Sequence, residues 1–439
     1  MAAQDAMMAN TQAAQAVQDA AAANPQDMAA TAGAQLAAGE AADLKFMARA
    51  IELAKGGSGW TNPNPLVGAV VVKDGRIIGE GCHQRIGGLH AERNALAACT
   101  ESPEGATIYV TLEPCNHHGH QPPCVDALIE AGVSRVVVAS QDPNPLVSGQ
   151  GNARLRAAGI QVDTDVMRRV ADELNPIFFH HMTRNLPFVV AKWAMTADGH
   201  ISAYTGDSQW VSGPESRADV HELRHRLAAI MVGIGTVLAD DPSLTCRRAN
   251  GAMGNHPLRV VCDSQLRIPL DSQLVRTASE VPVLVCTCSA DEQKRAALEA
   301  QGVEVAVLPA DESGHVSLTA VMGHLNRKSI DSVLLEGGAG LNATAFAEGL
   351  VSQVVCYLAP KIIGGQGAVP VGGQGIPKMA DALELGEPVV EMVGSDVKLT
   401  FGMGGEKPIT LYPADVEIYP TLVGEAGASE ASIGEAGDS

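Results

Sequence analysis

Three short stretches of this sequence carry residue types that could do chemistry together: His90-Ala91-Glu92, Pro114-Cys115 and Pro123-Cys124. One imidazole and two thiolates suit a borderline-soft cation such as zinc, and three protein ligands leave the fourth position open for water. A metal held this way lowers the pKa of that water to about 7, so hydroxide is available at neutral pH. Glu92, two residues beyond His90, stands outside the ligand set and has the chemistry to carry a proton from water to a ring nitrogen and a leaving amine. Each piece alone is weak, because buried cysteines are more often small packing residues. The weight comes from their order along the chain. His117, His118 and His120, lying between the two cysteines, are rival ligands, while Cys82 and Cys99 read as packing.

A second candidate is Val333-Leu334-Leu335-Glu336-Gly337-Gly338-Ala339-Gly340-Leu341, followed by a helical pattern through Glu348. A strand, a glycine turn and a helix start present backbone N–H groups to phosphate. The stretch lacks G-x-G-x-x-G spacing, so an ordinary tight turn reads equally well. If Gly338 has positive φ, a bulky residue there strains the turn as well as crowding a phosphate.

The elements that must position these groups follow from periodicity. The first block predicts a helix over Asp43–Ala54 and strands at Leu66–Lys73 and Arg76–His83, joined by a Lys73-Asp74-Gly75 turn. A helix over His90–Cys99, a strand at Thr107–Leu112, a helix over Pro123–Ala131 and a strand at Arg135–Ala139 follow. The second block predicts strands at Phe188–Met195, Ala229–Val232, Arg259–Cys262, Val283–Cys286 and Ser332–Leu335, with Arg184–Pro187 as the linker. Alternating strands and helices imply α/β architecture in both. Domains are expected at 43–186 and 187–420, between an Ala-rich disordered extension (1–42) and a flexible acidic tail (421–439).

Composition narrows the function classes. The 439 residues suggest two or three domains. With 46% hydrophobic and 18% charged residues the chain is globular, and with 3% aromatics its core is aliphatic. The longest apolar run, Leu227 to Ala239, is too short for a bilayer. A net charge of −20 argues against nucleic acid and for a small-molecule substrate. Nine scattered cysteines, and no Lys or Arg before Lys45, predict a reduced, cytoplasmic protein without a secretory or transit leader.

His-x-Glu followed by Pro-Cys and a second Cys resembles the cytidine-deaminase-like superfamily of zinc base deaminases. The spacing departs from Pro-Cys-x-x-Cys, because Asn116 to Pro123 separate the two cysteines. That longer loop looks like the riboflavin-pathway deaminase branch. So do Asn62-Pro63-Asn64-Pro65-Leu66-Val67-Gly68, Gly79-Glu80-Gly81-Cys82-His83 and Gln141-Asp142-Pro143-Asn144-Pro145. The resemblance implies one zinc on His90, Cys115 and Cys124, Glu92 as catalytic acid/base, Asn64 and His83 on the pyrimidine, and His117 and His118 lining the loop.

The second block resembles the riboflavin-pathway reductase domain. The motifs are Lys192–Ser202, Ser208-Gln209-Trp210, Val232–Pro242 and Leu358–Gly365, in that order. Together the resemblances cover about residues 43 to 418. They imply an N-terminal cytidine-deaminase-like α/β/α sandwich and a C-terminal dihydrofolate-reductase-like α/β domain. By the same likeness NADPH is held by Ala194, Trp210, Thr236, Asp240, Ser264 and the turn Gly338, Ala339, Gly340, Leu341, Asn342, Ala343 and Thr344. A phosphoribosyl pyrimidine is held by Ser208, Arg224, Leu244, Arg247 and Glu336. Arg grips phosphate with a planar fork, which suits Arg224 and Arg247, although each would also serve in a surface ion pair. A homo-oligomer is expected. Two rivals remain at this stage: a nucleoside or tRNA deaminase with an appended dinucleotide-binding module, and a regulatory binding protein with one inactive site.

Overall fold

The computed structural model describes residues 25–117, 121–144, 148–413 and 416. The first half is built on α1 (Pro25–Ala54), β1 (Gly68–Lys73), β2 (Arg76–Cys82), α2 (Ala91–Ala97), β3 (Thr107–Leu112), α3 (Cys124–Glu130), β4 (Arg135–Ser140), α4 (Gln150–Ala157) and β5 (Gln161–Asp163). The sheet order is β2-β1-β3-β4-β5. β1 runs antiparallel to β2 and β3, while β3, β4 and β5 are parallel. Asp74 (φ 49°) and Gly75 (φ 72°) make the β1–β2 turn, both in the left-handed region that an Asp-Gly hairpin turn requires.

Alternation along the strands sends side chains to two cores. Val70, Tyr109 and Val137 pack against Met47 and Ile51 of α1 and Leu174 of α5 (Arg168–Leu174). Val71, Ile108 and Val136 pack against Ala91 of α2, Leu128 of α3 and Leu155 of α4. This is the expected α/β/α sandwich. Helix α1 lies so close to β1 that a Cβ on Gly68 would sit 1.9 Å from the Ala50 carbonyl oxygen. The helix begins at Pro25, well inside the stretch expected to be disordered. Alanine carries the highest helix propensity, and the run simply continues a helix already anchored by its packed C-terminal half. Asp43, in that anchored half, takes two hydrogen bonds from Arg135 of β4, at 2.8 and 2.7 Å.

Asn175 separates α5 from α6 (Pro176–Arg184), which leads into the second half. There the elements are β6 (Phe188–Thr196), α7 (Pro214–Arg226), β7 (Ala229–Gly233), α8 (Ile234–Asp240), β8 (Leu258–Cys262), α9 (Gln273–Arg276) and β9 (Val283–Thr287). They continue with α10 (Glu292–Glu299), β10 (Glu304–Val307), α11 (Leu318–Arg327), β11 (Ser332–Leu335), α12 (Ala339–Ala347), β12 (Gln353–Ala359), β13 (Val389–Val393) and β14 (Asp396–Gly402). The sheet order is β10-β9-β8-β7-β11-β6-β12-β14-β13, parallel from β10 to β12 and antiparallel at β14 and β13. Parallel strands need both faces covered, which is why they read as near-continuous Val/Ile/Leu runs. The chain then turns back to the first half: Tyr412 packs beside Phe188, Val190 and Leu223 of the second half, and Val416 is buried with Met47 and Ile51 of the first.

Candidate active sites

Two helix starts and one strand end converge at the first site. His90 caps α2, Glu92 lies in that helix's first turn, Cys115 follows β3, and Cys124 opens α3. His90 Nδ1 is 3.5 Å from Cys115 Sγ and 3.3 Å from Cys124 Sγ. Ligands at about 2.0–2.3 Å from a tetrahedral zinc stand roughly 3.5 Å apart, so the donor set fits the ion. Among the described residues this is the one group of three or more His, Cys, Asp or Glu side chains close enough to share a metal. A hydrogen bond from Cys124, with others from His90 and the Cys124 N–H, holds the Cys115 thiol well below its ordinary range. Glu92 is buried, and that burial, reinforced by Cys115, pushes it up to about 7. A carboxyl there can both take and return a proton at neutral pH.

The site opens into a cavity of about 360 Å³ whose walls include Asn64, His83, Glu92, Cys115, His117, Phe178 and Met182. His83 Nδ1 lies 3.0 Å from the Leu89 carbonyl oxygen, so that nitrogen carries the proton. Its Nε2 then accepts from Asn64 Nδ2 at 3.1 Å. Burial lowers the His83 pKa, which keeps the ring neutral. His118 and His120 lie outside the described residues.

The second site is assembled from distant elements. Lys192 on β6, Arg224 and His221 on α7, and Glu336 beyond β11 line one pocket with Ala194, Ser208, Trp210 and Arg247. Arg224 donates Nε and Nη2 to Glu336 at 2.8 and 3.0 Å, and the Lys192 ammonium is 3.8 Å from the same carboxylate. Burial works against the Glu336 charge, yet Arg224 and Lys192 outweigh it and hold the pKa at about 2. Helix α7 is oriented by Asp396 of β14, which accepts from Gly213 N–H (2.7 Å) and Ser216 hydroxyl (2.6 Å) at its start. Arg247 is exposed, with Nη1 on the Ser243 and Thr245 hydroxyls at 2.9 and 2.7 Å.

Beside this pocket, α8 and α12 both start at the carboxyl ends of neighbouring strands, β7 and β11. Thr236 and Gly338 are adjacent, and a Cβ on Gly235 or Gly340 would meet nothing within 4 Å. Two helix starts facing open space at strand ends fit a dinucleotide's phosphates. Gly338 has φ −67°, so the strain expected for a left-handed turn does not arise. Past the first turn α12 is braced by protein, with Asn342 Nδ2 donating to Pro370 O at 2.8 Å and Thr344 bonding back to Gly340 O.

Several expected contacts take another form. The Leu244 side chain is buried in the core with Ile230 and Val261, so only its backbone can meet a ligand. Ser264 Oγ accepts from Val316 N at 2.9 Å and ties two loops together. Asp240 is exposed at the end of α8. Sequence reasoning assigned no role to Lys192, His221, Phe178 or Met182. Lys192 had a signal, a lone charge in the apolar strand Phe188–Thr196. Phe178 and Met182 had none, since apolar residues four apart on a helix look like any core face.

Comparison with known proteins agrees with this geometry. Residues 40–140 match the cytidine and deoxycytidylate deaminase zinc-binding region, and residues 187–399 match the RibD C-terminal domain. The riboflavin biosynthesis protein RibD of Actinobacillus pleuropneumoniae is 50% identical over 360 residues, 82% of this chain and 95% of that protein. That of Escherichia coli is 41% identical over 81% of this chain and 98% of its own length. Among solved structures, Acinetobacter baumannii RibD superposes with a TM-score of 0.75 at 36% identity, covering 83% of this chain and 99% of that one. A Thermotoga maritima diaminohydroxyphosphoribosylaminopyrimidine deaminase/5-amino-6-(5-phosphoribosylamino)uracil reductase gives 0.72 at 37% identity, over 83% and 99%.

Proposed function

The chain belongs to the RibD family of riboflavin biosynthesis proteins, a deaminase joined to a reductase, and from that premise we propose which residues carry each reaction. The first half hydrolyses 2,5-diamino-6-ribosylamino-4(3H)-pyrimidinone 5′-phosphate to ammonia and 5-amino-6-(5-phosphoribosylamino)uracil. The second reduces the ribosyl group of that product to ribityl. What carries the assignment is the His90/Cys115/Cys124 ligand set beside buried Glu92, together with a separate pocket of cations around Glu336.

In the first site His90, Cys115 and Cys124 would hold one zinc, which supplies the Lewis acidity that makes hydroxide available at neutral pH. Glu92 takes one proton from the attacking water and gives it to the ring nitrogen, then carries the remaining hydroxyl proton to the departing amine, which leaves as ammonia. A carbon–oxygen bond forms as the carbon–nitrogen bond to ammonia breaks. Neutral His83 fixes the Asn64 amide, leaving the amide oxygen for a pyrimidine N–H.

In the second site NADPH, which supplies the reducing equivalents, would lie against Thr236 and the first turn of α12, Gly338 to Leu341. Ala194, Trp210, Asp240, Ser264 and the rest of the turn to Thr344 complete the cofactor residues. Arg224 is committed to Glu336, so exposed Arg247, whose Nη1 is steadied by the Ser243 and Thr245 hydroxyls, is the guanidinium offered to the substrate phosphate, with Ser208 and the Leu244 backbone beside it. Reduction of the open-chain imine puts hydrogen on C1′ and a proton on nitrogen, the latter from the Lys192–Glu336 cluster. We place the domains at 43–186 and 187–420, in a cytoplasmic homo-oligomer. Supporting this are nine cysteines with no disulfide among them and the exposed Val389, Val390 and Met392 on edge strand β13.

The test is purified protein with the diaminopyrimidine substrate, with and without NADPH. Ammonia release in both cases, and NADPH oxidation only after deamination, are expected. Ammonia without any later NADPH oxidation would remove the reductase assignment.

A further inference from the structure

The loop that carries Asn64 into the first site is held from outside its own half. Asn62 Nδ2 donates to the Arg226 carbonyl oxygen at 3.1 Å and to Asp331 Oδ1 at 3.2 Å. Arg226 ends α7 and Asp331 precedes β11, so both belong to the second half. Asp331 is buried, and its other partner, the Ser332 hydroxyl at 2.6 Å, fixes its orientation. The contact continues along the loop. The Trp60 ring stands edge-on to His225 with centroids 5.3 Å apart, and a Cβ on Gly59 (φ 75°) would lie 2.6 Å from the His225 carbonyl oxygen. The Trp60 carbonyl oxygen then accepts from Ile86 N at 3.0 Å, at the base of the Gly87–Gly88 wall of the deaminase cavity.

Helix α6 makes the same connection on another side. Phe178 and Met182, one turn apart, line the deaminase cavity, while Ile177 is buried with Phe188, Val190 and Leu223 of the second half. A one-residue step around the helix thus changes which half a side chain serves.

We propose that the second half is a positioning element of the deaminase: Asp331 and the Arg226 carbonyl act through Asn62 to set Asn64 against the pyrimidine. The inference rests on the deaminase reading of the first site. Asn62 contacts no ligand in this scheme. It removes freedom from a loop whose neighbour at position 64 must meet the base, and small misplacements of such a group cost rate steeply. Deamination and reduction are therefore joined by shared structure as well as by a shared phosphosugar.

The experiment is a mutant cycle in the full-length chain, reading ammonia release, NADPH-dependent reduction of the deaminated intermediate, and bound zinc. Asn62→Ala is expected to lower deaminase kcat/KM by about tenfold or more, chiefly through KM, with zinc and reduction within about twofold of wild type. Asn64→Ala should lose more, and Asn62→Ala/Asn64→Ala no more than Asn64→Ala alone, because one residue acts through the other. Asp331→Ala should reproduce Asn62→Ala, and Asp331→Asn, which keeps the acceptor oxygen, should restore most of the activity. Multiplicative losses in the double variant, or an unchanged deaminase in Asn62→Ala, would overturn the proposal. If Asn62→Ala loses its zinc, the Asp331→Asn and Asp331→Ala pair decides: equal deaminase losses in the two also overturn it. A wild-type protein that releases no ammonia would instead defeat the deaminase reading itself.

Discussion

At the proposed zinc site the groups lie on short neighbouring segments, with His90, Glu92, Cys115 and Cys124 all within one compact sandwich. At the pocket of the second half they come from far apart in the chain: Lys192 from β6, Arg224 from α7, Glu336 from the end of β11. In the proposed mechanism the first site performs its own proton chemistry with side chains, so residue types are strongly constrained and leave a motif. In the second, as proposed, a cofactor would do the redox chemistry, with the protein contributing backbone approach, charge and burial. Those contributions accept many side chains, which is why they leave a faint trace in one sequence.

The largest effect separating the two sites is expected for Cys115→Ala. Loss of a thiolate from a three-ligand site should empty it of zinc and abolish deamination, while reduction of the deaminated intermediate continues. Metal analysis of the purified variant decides it. Full zinc occupancy would remove Cys115 from the ligand set. Glu92→Gln should cut deeply without touching the metal. Deamination is expected to fall by about 10²–10⁴-fold with zinc retained and reduction unchanged. Near-normal ammonia release would give the proton shuttle to another group.

The buried cluster of the second half responds differently, because its charges pair with one another inside the fold. Arg224→Met strands Glu336 with only Lys192 at 3.8 Å, and breaking a buried pair in this way costs about 3–5 kcal/mol. The exposed pair Arg154–Asp126 is worth about 0–1 kcal/mol, so Arg154→Met is the control. Denaturant midpoints at a common m-value compare the two, and equal losses would show that the cluster is not a buried unit.

How far the sequence could be read follows the same division. The sandwich, the hairpin turn and the clustering of His90, Cys115 and Cys124 were legible because each depends on local spacing: strand alternation, Asp-Gly, His-x-Glu. The start of α1 was not, since low hydrophobic content suggested disorder where alanine propensity extends an anchored helix. Leu244 and Ser264 came from likeness to a family, which marks positions but not the direction of a side chain, and here Leu244 turns into the core. Asn62 stood inside a quoted motif, yet its partners lie more than 160 residues away, beyond any pattern that periodicity can reveal.

Acid should loosen the second half and the bridging helix first. Burial, with nearby Arg224 and Arg247, lowers His221 to about 4, and burial with Arg184 lowers His180 to about 4. The unfolded chain protonates these rings near pH 6.5, so between about 6.5 and 4 it binds more protons than the fold and stability falls as pH falls. Glu336, held at about 2 with burial opposing and Arg224 and Lys192 prevailing, adds a second loss from about pH 4.3 downward. A series of Tm values from pH 7.5 to 5 should decline, and less steeply in His221→Gln. A flat series would mean that these imidazoles are not buried in solution.

The smallest change is expected at Gly338, where a conspicuous glycine invites the opposite guess. Its φ of −67° suits any residue, and an added Cβ would rest 3.7 Å from Thr236 Oγ1, an ordinary contact. Gly338→Ala should therefore fold normally and change the KM for NADPH by no more than a few-fold. At Gly337 a Cβ would come within 2.8 Å of Leu341 Cδ2 and 3.2 Å of Leu335 Cδ1, both on packed side chains. Gly337→Ala must displace the Leu341 side chain in the first turn of α12, beside the N–H groups proposed to meet phosphate. It should raise the KM for NADPH about tenfold or more while leaving deamination intact. Steady-state reduction by the two variants, side by side, measures whether cofactor binding depends on the placement of this backbone. A larger defect in Gly338→Ala than in Gly337→Ala would mean that the cofactor presses on Gly338 itself, and the phosphates would then sit closer to Thr236 than to the helix start.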